Sequence, residues 1–503
     1  MNPPEPPGVP PPLPSKAEFQ QPVTATPQET VVIPMEGENP FAPRNVVVPA
    51  ETSQTQTVPA SPAPPRSGGS WFRRIFTVLI LLLIVGGLVY ASRFALGFLE
   101  TQKEVTLTYW GLWENDAIVQ PILADFEAKH PKIKVEYAKQ SPRQYRERLQ
   151  AAIARGEGPD VFRFHSTWVP MLKDELAPAP STVMTAAQFS SAFYPVASAD
   201  LVAGTTIYGV PLMIEGLGLY YNEDLFAAAG LAPPTTWEEL VTLVPQLTVK
   251  TADNTIVTSA IALGTTGNVE NFSDIVATMM MQNGVNLLDP TGKLAEDTLL
   301  FYRGFADSSN PLYTWNESLD NSISAFANGR VAMILAPSWR AFDLKQINPE
   351  LNFRIAPIPQ LPGNSVSWAS YWAEGVSGKS THKEQAWEFL SYLTSSETAT
   401  KLYTEAAKTR LFGEPYARVD LGARIADDPF VGVFVKQAPD ARSFPLASRT
   451  FDNGLNDRMI KYLEDAINGL SQGKSPQEVL STVASGFTQV LRSYGLTSAA
   501  AAR

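Results

Sequence analysis

The sequence predicts an α/β protein built around a parallel sheet, carried behind a disordered tail and one transmembrane helix. Three observations point there. The runs VTLTYW, IKVEY and DVFRF are strand-like and alternate with amphipathic helical stretches, a β-α-β-α-β order starting at Val105. From Ile75 to Ala91 there is no charged residue, and with its apolar flanks this run reaches the roughly 20 residues a bilayer requires. Before it lie some 70 residues rich in Pro, Ser, Thr and Gln, without any sustained apolar period.

Residues 1–70, opening PPEPPGVPPPLP, cannot bury enough surface to offset the entropy of ordering. They are expected to be a disordered tail. Residues 71–100, WFRRIFTVLILLLIVGGLVYASRFALGFLE, are expected to span the membrane as a retained signal-anchor. Arg73 and Arg74 precede the apolar run and place the tail in the cytoplasm and everything after the span outside the cell. Arg93, near the far end, can snorkel to the interface. A cleaved signal peptide would start within a short basic segment, not behind so long a tail.

From Val105 the pattern is globular. Ile118, Ile122 and Phe126 recur at helical spacing until His130-Pro131 stops the helix, and YRERLQAAIARG is a second helix closed by Gly156. Thr236 with Glu239, and Thr381 with Glu384, fit capping boxes at later helix starts. Ligands of such parallel sheets bind beyond the carboxyl ends of the strands.

The chain of 503 residues has a net charge of -11, which argues against a nucleic-acid partner. It contains no cysteine, so disulfides, thiolate metal sites, cysteine nucleophiles and a lipid-modified cysteine are excluded. No GxSxG, HExxH or GxxxxGK[ST] motif occurs, and His130, His165 and His382 show no ligand spacing. The reading therefore assigns no catalytic residue, metal or cofactor. What stands out instead is aromatic and polar residues at strand ends: Trp110, Trp113 and Glu114, then His165, Thr167 and Trp168, then Trp339, and finally Tyr371 and Trp372 beside Trp368. Sugars call for this chemistry, because their C–H faces pack on flat rings while their hydroxyls need polar partners. Trp237 and Trp387 fall on apolar helix faces and are expected in the core. Glu215 is the anomaly of the set, a lone acid inside PLMIEGLGLYY, where an unpaired buried charge would be expensive.

These pieces resemble, in family order, the extracellular solute-binding proteins of ABC importers, specifically the carbohydrate-binding class that includes maltose-binding protein. The resemblance rests on VTLTYWGLWE, ILADFEAKHPKIKVEY, YGVPLMIEGLGLYYNEDLFAAAGLAPPTTWEEL, AFANGRVAMILAPSW and KEQAWEFLSYLTSSE, and covers Val105 to about Leu496. It implies a two-lobed, periplasmic-binding-protein-like (type II) fold. Lobe 1 would take about 105–212 and 369–412, and lobe 2 about 213–368 and 413–496, with the ligand between them. Carried over residue by residue, it implies ligand contacts at Glu114, at Glu215 near the hinge, at Glu270 with Asn271 or Phe272, and at the stacking Trp339. Asn115 replaces a family lysine, and Thr167-Trp168 replace a family Asp-Arg pair. Trp113, His165, Tyr371 and Trp372 join the expected set from their positions at strand ends.

The function so implied is a membrane-tethered receptor that binds a carbohydrate and delivers it to the transmembrane subunits of an ABC permease. It would sit in the cell membrane through its own helix. The alternatives are a glycosidase working with two of Glu114, Glu215 and Glu270, a sensor reporting through the tail, or a receptor for a non-sugar solute such as a polyamine.

Overall fold

The structure, a computed structural model, describes residues 75–87, 104–363 and 365–496. The tail expected over 1–70 and the flanks of the apolar run lie outside the described residues. Within that run, residues 75–87 are helical, with every side chain exposed. Among the described residues no helix is long and apolar enough to cross a membrane.

The globular part opens with the alternation read from the sequence. Strand β1 (Val105–Gly111), helix α1 (Asp116–Lys129), β2 (Ile133–Lys139), α2 (Tyr145–Arg155) and β3 (Val161–His165) follow one another, with β1 parallel to both β2 and β3. Ile118, Ile122 and Phe126 make the buried stripe of α1. Gly156 ends α2 in the left-handed region, at φ 77°, where a residue without Cβ is favoured. The sheet is not wholly parallel, however. Strand β11 (Trp372–Ser377) returns from far along the chain and pairs antiparallel with β3, setting Trp372 opposite His165 and Glu374 opposite Arg163. The short strands β4 (Leu176–Ala177) and β5 (Val210–Pro211) also pair with β11 and complete a six-stranded sheet. Helix α1 and helix α5 (Lys383–Leu393) meet where Phe126 and Phe389 pack 4.9 Å apart, and Phe389 also sits edge-on to Tyr109 of β1.

A second sheet is formed by β6 (Gly218–Asn222), β7 (Val249–Lys250), β8 (Ile256–Ile261), β9 (Val331–Ala336) and β10 (Phe353–Ala356), in the order β10-β6-β9-β8-β7. All six residues of β9 are buried, as expected for a central strand covered on both faces. Helix α3 (Trp237–Leu247) begins with the expected capping box, both the Thr236 and the Glu239 bonds being made. The box expected at Thr381 and Glu384 is not formed. Helix α5 starts one residue later, behind His382, and no side chain caps it. Ser380 holds this turn instead, its hydroxyl accepting the His382 N–H and donating to Asp160. Trp237 and Trp387 are core residues, 5% and 1% exposed. Trp110 is half-buried against the core.

The chain passes between the two sheets several times, and the passages are stitched together. Met213 pairs antiparallel with Tyr416, the Ile214 N–H bonds to the Pro415 carbonyl, and the Ser370 N–H bonds to the Glu215 carbonyl. Gly216 lies so close to Trp368 that a Cβ there would stand 2.0 Å from the Trp368 carbonyl oxygen. At the end of the chain α6 (Leu455–Ser471) and α7 (Pro476–Ser493) pack on each other as a helical hairpin.

Candidate functional site

The strand ends of both sheets open onto one cavity of about 370 Å³, within the range of small-molecule sites. Trp113 follows β1, His165 ends β3 and Trp372 begins β11, so the mixed register of the first sheet gathers three rings on one wall. Trp372 meets Trp113 edge-to-face at 5.6 Å and His165 at 5.2 Å, which fixes its plane. From the second sheet comes Trp339, just past β9, with the Arg340 guanidinium 4.2 Å from its ring centre. Trp113, Trp339 and Trp372 are each half-buried, so part of each ring remains open to a solute.

Glu215 also lines the cavity. Its carboxyl accepts the Ser338 N–H at 3.1 Å and the Ser338 hydroxyl, and Ser338 is positioned by the buried Tyr220, whose hydroxyl donates to the Pro337 and Ser338 carbonyls. Burial, reinforced by the nearby Glu414 charge, pushes the Glu215 carboxyl up to about 8. His165 is neutral, because burial pushes its imidazole down to about 3. Its ring nitrogens meet the Thr167 hydroxyl at 2.9 Å and the Ser370 hydroxyl at 3.2 Å.

Of the residues singled out in the sequence, Trp113, His165, Glu215, Trp339 and Trp372 thus line the cavity, as do Trp368 and Asn271, the alternative to Phe272. The other six lie behind its wall, each for a definite reason. Glu114 is 3% exposed and ion-paired at 2.6 Å with Arg163, which also holds Glu374. Burial, the largest single influence, would raise the Glu114 carboxyl, but the charge and hydrogen bond of Arg163, a backbone N–H and the Arg410 charge together bring the net shift downward. Thr167 supports His165 and accepts from Asn456 at 2.7 Å. Trp168 is fully buried, 5.2 Å from Trp372, backing that ring instead of facing a ligand. Tyr371 is also fully buried and donates to Asp200 at 2.8 Å. Glu270 is taken up by Arg340, Asn321 and Arg449. Phe272, on the first turn of α4 (Phe272–Gln282), packs against the core, while Asn271 before it and Asp274 after it line the cavity.

Several wall residues were not named from the sequence as ligand contacts. Trp368 donates its indole N–H to Asp274 at 2.7 Å, and burial pushes the Asp274 carboxyl up to about 6. Arg410 and Glu414 form a 2.8 Å ion pair, and Phe342 stacks on Phe412. The loop before α6 contributes Ser448, Arg449 and Phe451. Arg449, Phe451 and Asn453 in it take φ values of 58°, 54° and 45°, uncommon for residues with a Cβ. Asp452 secures the loop by accepting the N–H groups of Gly454 and Asn456, and its carbonyl accepts from Arg146 of α2. Trp368 carried a sequence signal, the aromatic crowding of SWASYW; Asp274 stands on α4, Phe342 on the helix Arg340–Ile347, and the others come from remote loops. Among the described residues no group of three or more His, Asp or Glu could hold a metal ion.

Two α/β halves with a shared cavity at their strand ends define a two-lobed solute-binding architecture. Residues 111–400, more than half of the chain, match the family described as bacterial extracellular solute-binding protein, and the chain belongs to that family. It is 24% identical over 346 residues to the multiple sugar-binding protein of Streptococcus mutans, covering 66% of this chain and 81% of that one. It is 24% identical over 289 residues to the maltooligosaccharide ABC transporter solute-binding lipoprotein of Streptococcus pneumoniae, covering 54% of this chain and 64% of that one. Among solved structures, the sugar-binding protein of Xanthomonas citri superposes with a TM-score of 0.63 at 21% identity, over 77% of this chain and 98% of that one.

Proposed function

We propose that this chain is a membrane-tethered receptor that binds a carbohydrate in the cleft between its lobes, outside the cell, and presents it to an ABC permease. The observation that carries the proposal is the cavity itself, about 370 Å³, with Trp113 and Trp372 on one side, Trp339 on the other, and carboxylates between them. Half-exposed rings suit the C–H faces of a pyranose, and acceptors such as Glu215 and Asp274 suit its hydroxyls. The named relatives add support, since their descriptions speak of sugar or maltooligosaccharide binding.

The proposed lobes are about 105–212 with 369–412, and about 213–368 with 413–496. The strands of each sheet divide along these lines, and the stitched passages at 213–216 and 413–416 supply the hinge. Closing on the solute would bring Trp339 toward Trp372, a hinge motion of the kind a permease can read. The tether rests on the apolar run at 75–91 and its preceding arginines; it takes the place that a lipid serves in the lipoprotein relative. Holding the receptor at the membrane raises its effective concentration near the permease.

A thermal-shift screen of the full chain against mono- and oligosaccharides tests the proposal, because a bound solute raises apparent stability by mass action. At least one carbohydrate should raise the melting temperature in proportion to the logarithm of its concentration. A shift with polyamines or metal ions and with none of the sugars would overturn the carbohydrate assignment.

A further inference from the structure

The cavity wall carries more acid than base, and the surplus is concentrated on the crossing strands. Met213 pairs antiparallel with Tyr416 and Ile214 with Pro415, so the register sets Glu215 opposite Glu414. Both line the cavity. Like charges directly opposite on paired strands repel. Among the described residues, the cation ion-paired with this pair is Arg410, 2.8 Å from Glu414; the Arg163 and Glu114 charges also act on Glu414, while Glu215 is held by the uncharged donors of Ser338. With both carboxyls ionised, the pair is one positive charge short.

A second observation comes from the other wall. Asn271 is 5% exposed and lines the cavity, and its side-chain oxygen has no hydrogen-bond partner. Its amide nitrogen is engaged with the Ser448 hydroxyl at 2.8 Å, so the oxygen is left as a buried acceptor awaiting a donor. Two donors nearby are committed, the Trp368 indole to Asp274 and Arg449 to Glu270, while in the same cavity Arg410, ion-paired with Glu414, keeps its Nε without a hydrogen-bond partner. Two facing carboxyls, an open amide oxygen and tryptophan faces favour a solute that brings donors and positive charge to this part of the wall.

We propose that the solute is an amine-bearing carbohydrate, an amino sugar in the simplest case, whose ammonium group is received by Glu215 and Glu414 and whose other donors reach Asn271. This rests on the carbohydrate reading above and narrows it. The state of Glu215 fits. Burial and the Glu414 charge keep its carboxyl protonated at neutral pH, and an ammonium supplies the same charge and lets that proton leave to solvent.

Isothermal titration of the full chain with matched sugars tests this. Suitable sets are glucose with glucosamine, galactose with galactosamine, mannose with mannosamine, and cellobiose with the β-1,4-linked glucosamine dimer, each joined by its N-acetylated, uncharged form. In at least one set the amine should bind about tenfold tighter than both uncharged forms, the scale of one charge-assisted hydrogen bond. Glu215→Gln and Glu414→Gln should each shrink that ratio; should either variant fail to fold, the wild-type ratio still decides. Uncharged forms binding as tightly in every set, or a ratio unchanged in both folded variants, would overturn the amine and leave the carbohydrate reading standing. No binding across the panel would overturn both.

Discussion

Glu215 shows how one residue joins folding to binding. It sits at the end of a passage between lobes, its backbone carbonyl accepts the Ser370 N–H, and its carboxyl is clasped by Ser338 just past β9. A buried acid whose pKa is raised binds more protons when folded than when unfolded. Stability then declines as pH climbs from the ordinary value of 4.5 toward about 8, and the decline ends once the folded form has also ionised. Chemical denaturation across that window should show this slope in the wild type and a shallower one in Glu215→Gln; equal slopes would show that Glu215 does not hold the proton. Arg163 is the structural counterpart. It bridges Glu114 and Glu374 in the first sheet, and Glu374 also accepts from Tyr109 at 2.9 Å. Arg163→Met should cost about 3–5 kcal/mol in denaturation experiments, because two buried carboxylates lose their cation. A cost below about 1 kcal/mol would mean that they relax by protonation at no expense.

At the scale of elements, the crossing strands decide where the cavity lies. Gly216 and Gly218 are both places of close approach, and they differ in kind. A Cβ on Gly216 meets a backbone oxygen, whereas one on Gly218 meets the Ile355 and Phe434 side chains, at 2.6 and 3.1 Å. Side chains can yield and a crossing backbone cannot, so Gly216→Ala should destabilise by about 1–3 kcal/mol and exceed Gly218→Ala in the same denaturation assay. A legible residue was one that broke its own local pattern. Glu215 interrupts an apolar run, and Trp339 and Trp372 stand where buried strands begin or end, so one-dimensional patterning exposed them. Glu114 fits the same description yet is turned inward, because its partner Arg163 lies 49 residues away. Arg163 carried a comparable signal, a charge inside the all-buried strand VFRFH, which fits a paired charge better than a solvated one. Glu414, Arg410 and the 448–453 loop reach the cavity through long-range pairing and irregular backbone, for which local periodicity holds no information. The resemblance implied the return of 369–412 to lobe 1, but the antiparallel pairing of β11 with β3 was hidden for the same reason, since Glu374 and Arg163 are 211 residues apart.

At the scale of the whole molecule, the apolar run at 75–91 and the solute-binding lobes are separate devices joined in one chain. The tether is tested by alkaline carbonate extraction of cell membranes. The full chain should stay in the membrane fraction, and one starting at Glu104 should be released; release of both would remove the anchor from the account. The binding function is tested most directly by titrating the full chain with carbohydrates while following its intrinsic tryptophan fluorescence. Trp113, Trp339, Trp368 and Trp372 line the cavity, so a solute in the cleft changes the surroundings of several emitters at once. The account predicts a saturable change with at least one carbohydrate, weakened by about tenfold or more in Trp339→Ala and in Trp372→Ala. A carbohydrate that binds with the same affinity to wild type and to both variants would contradict it.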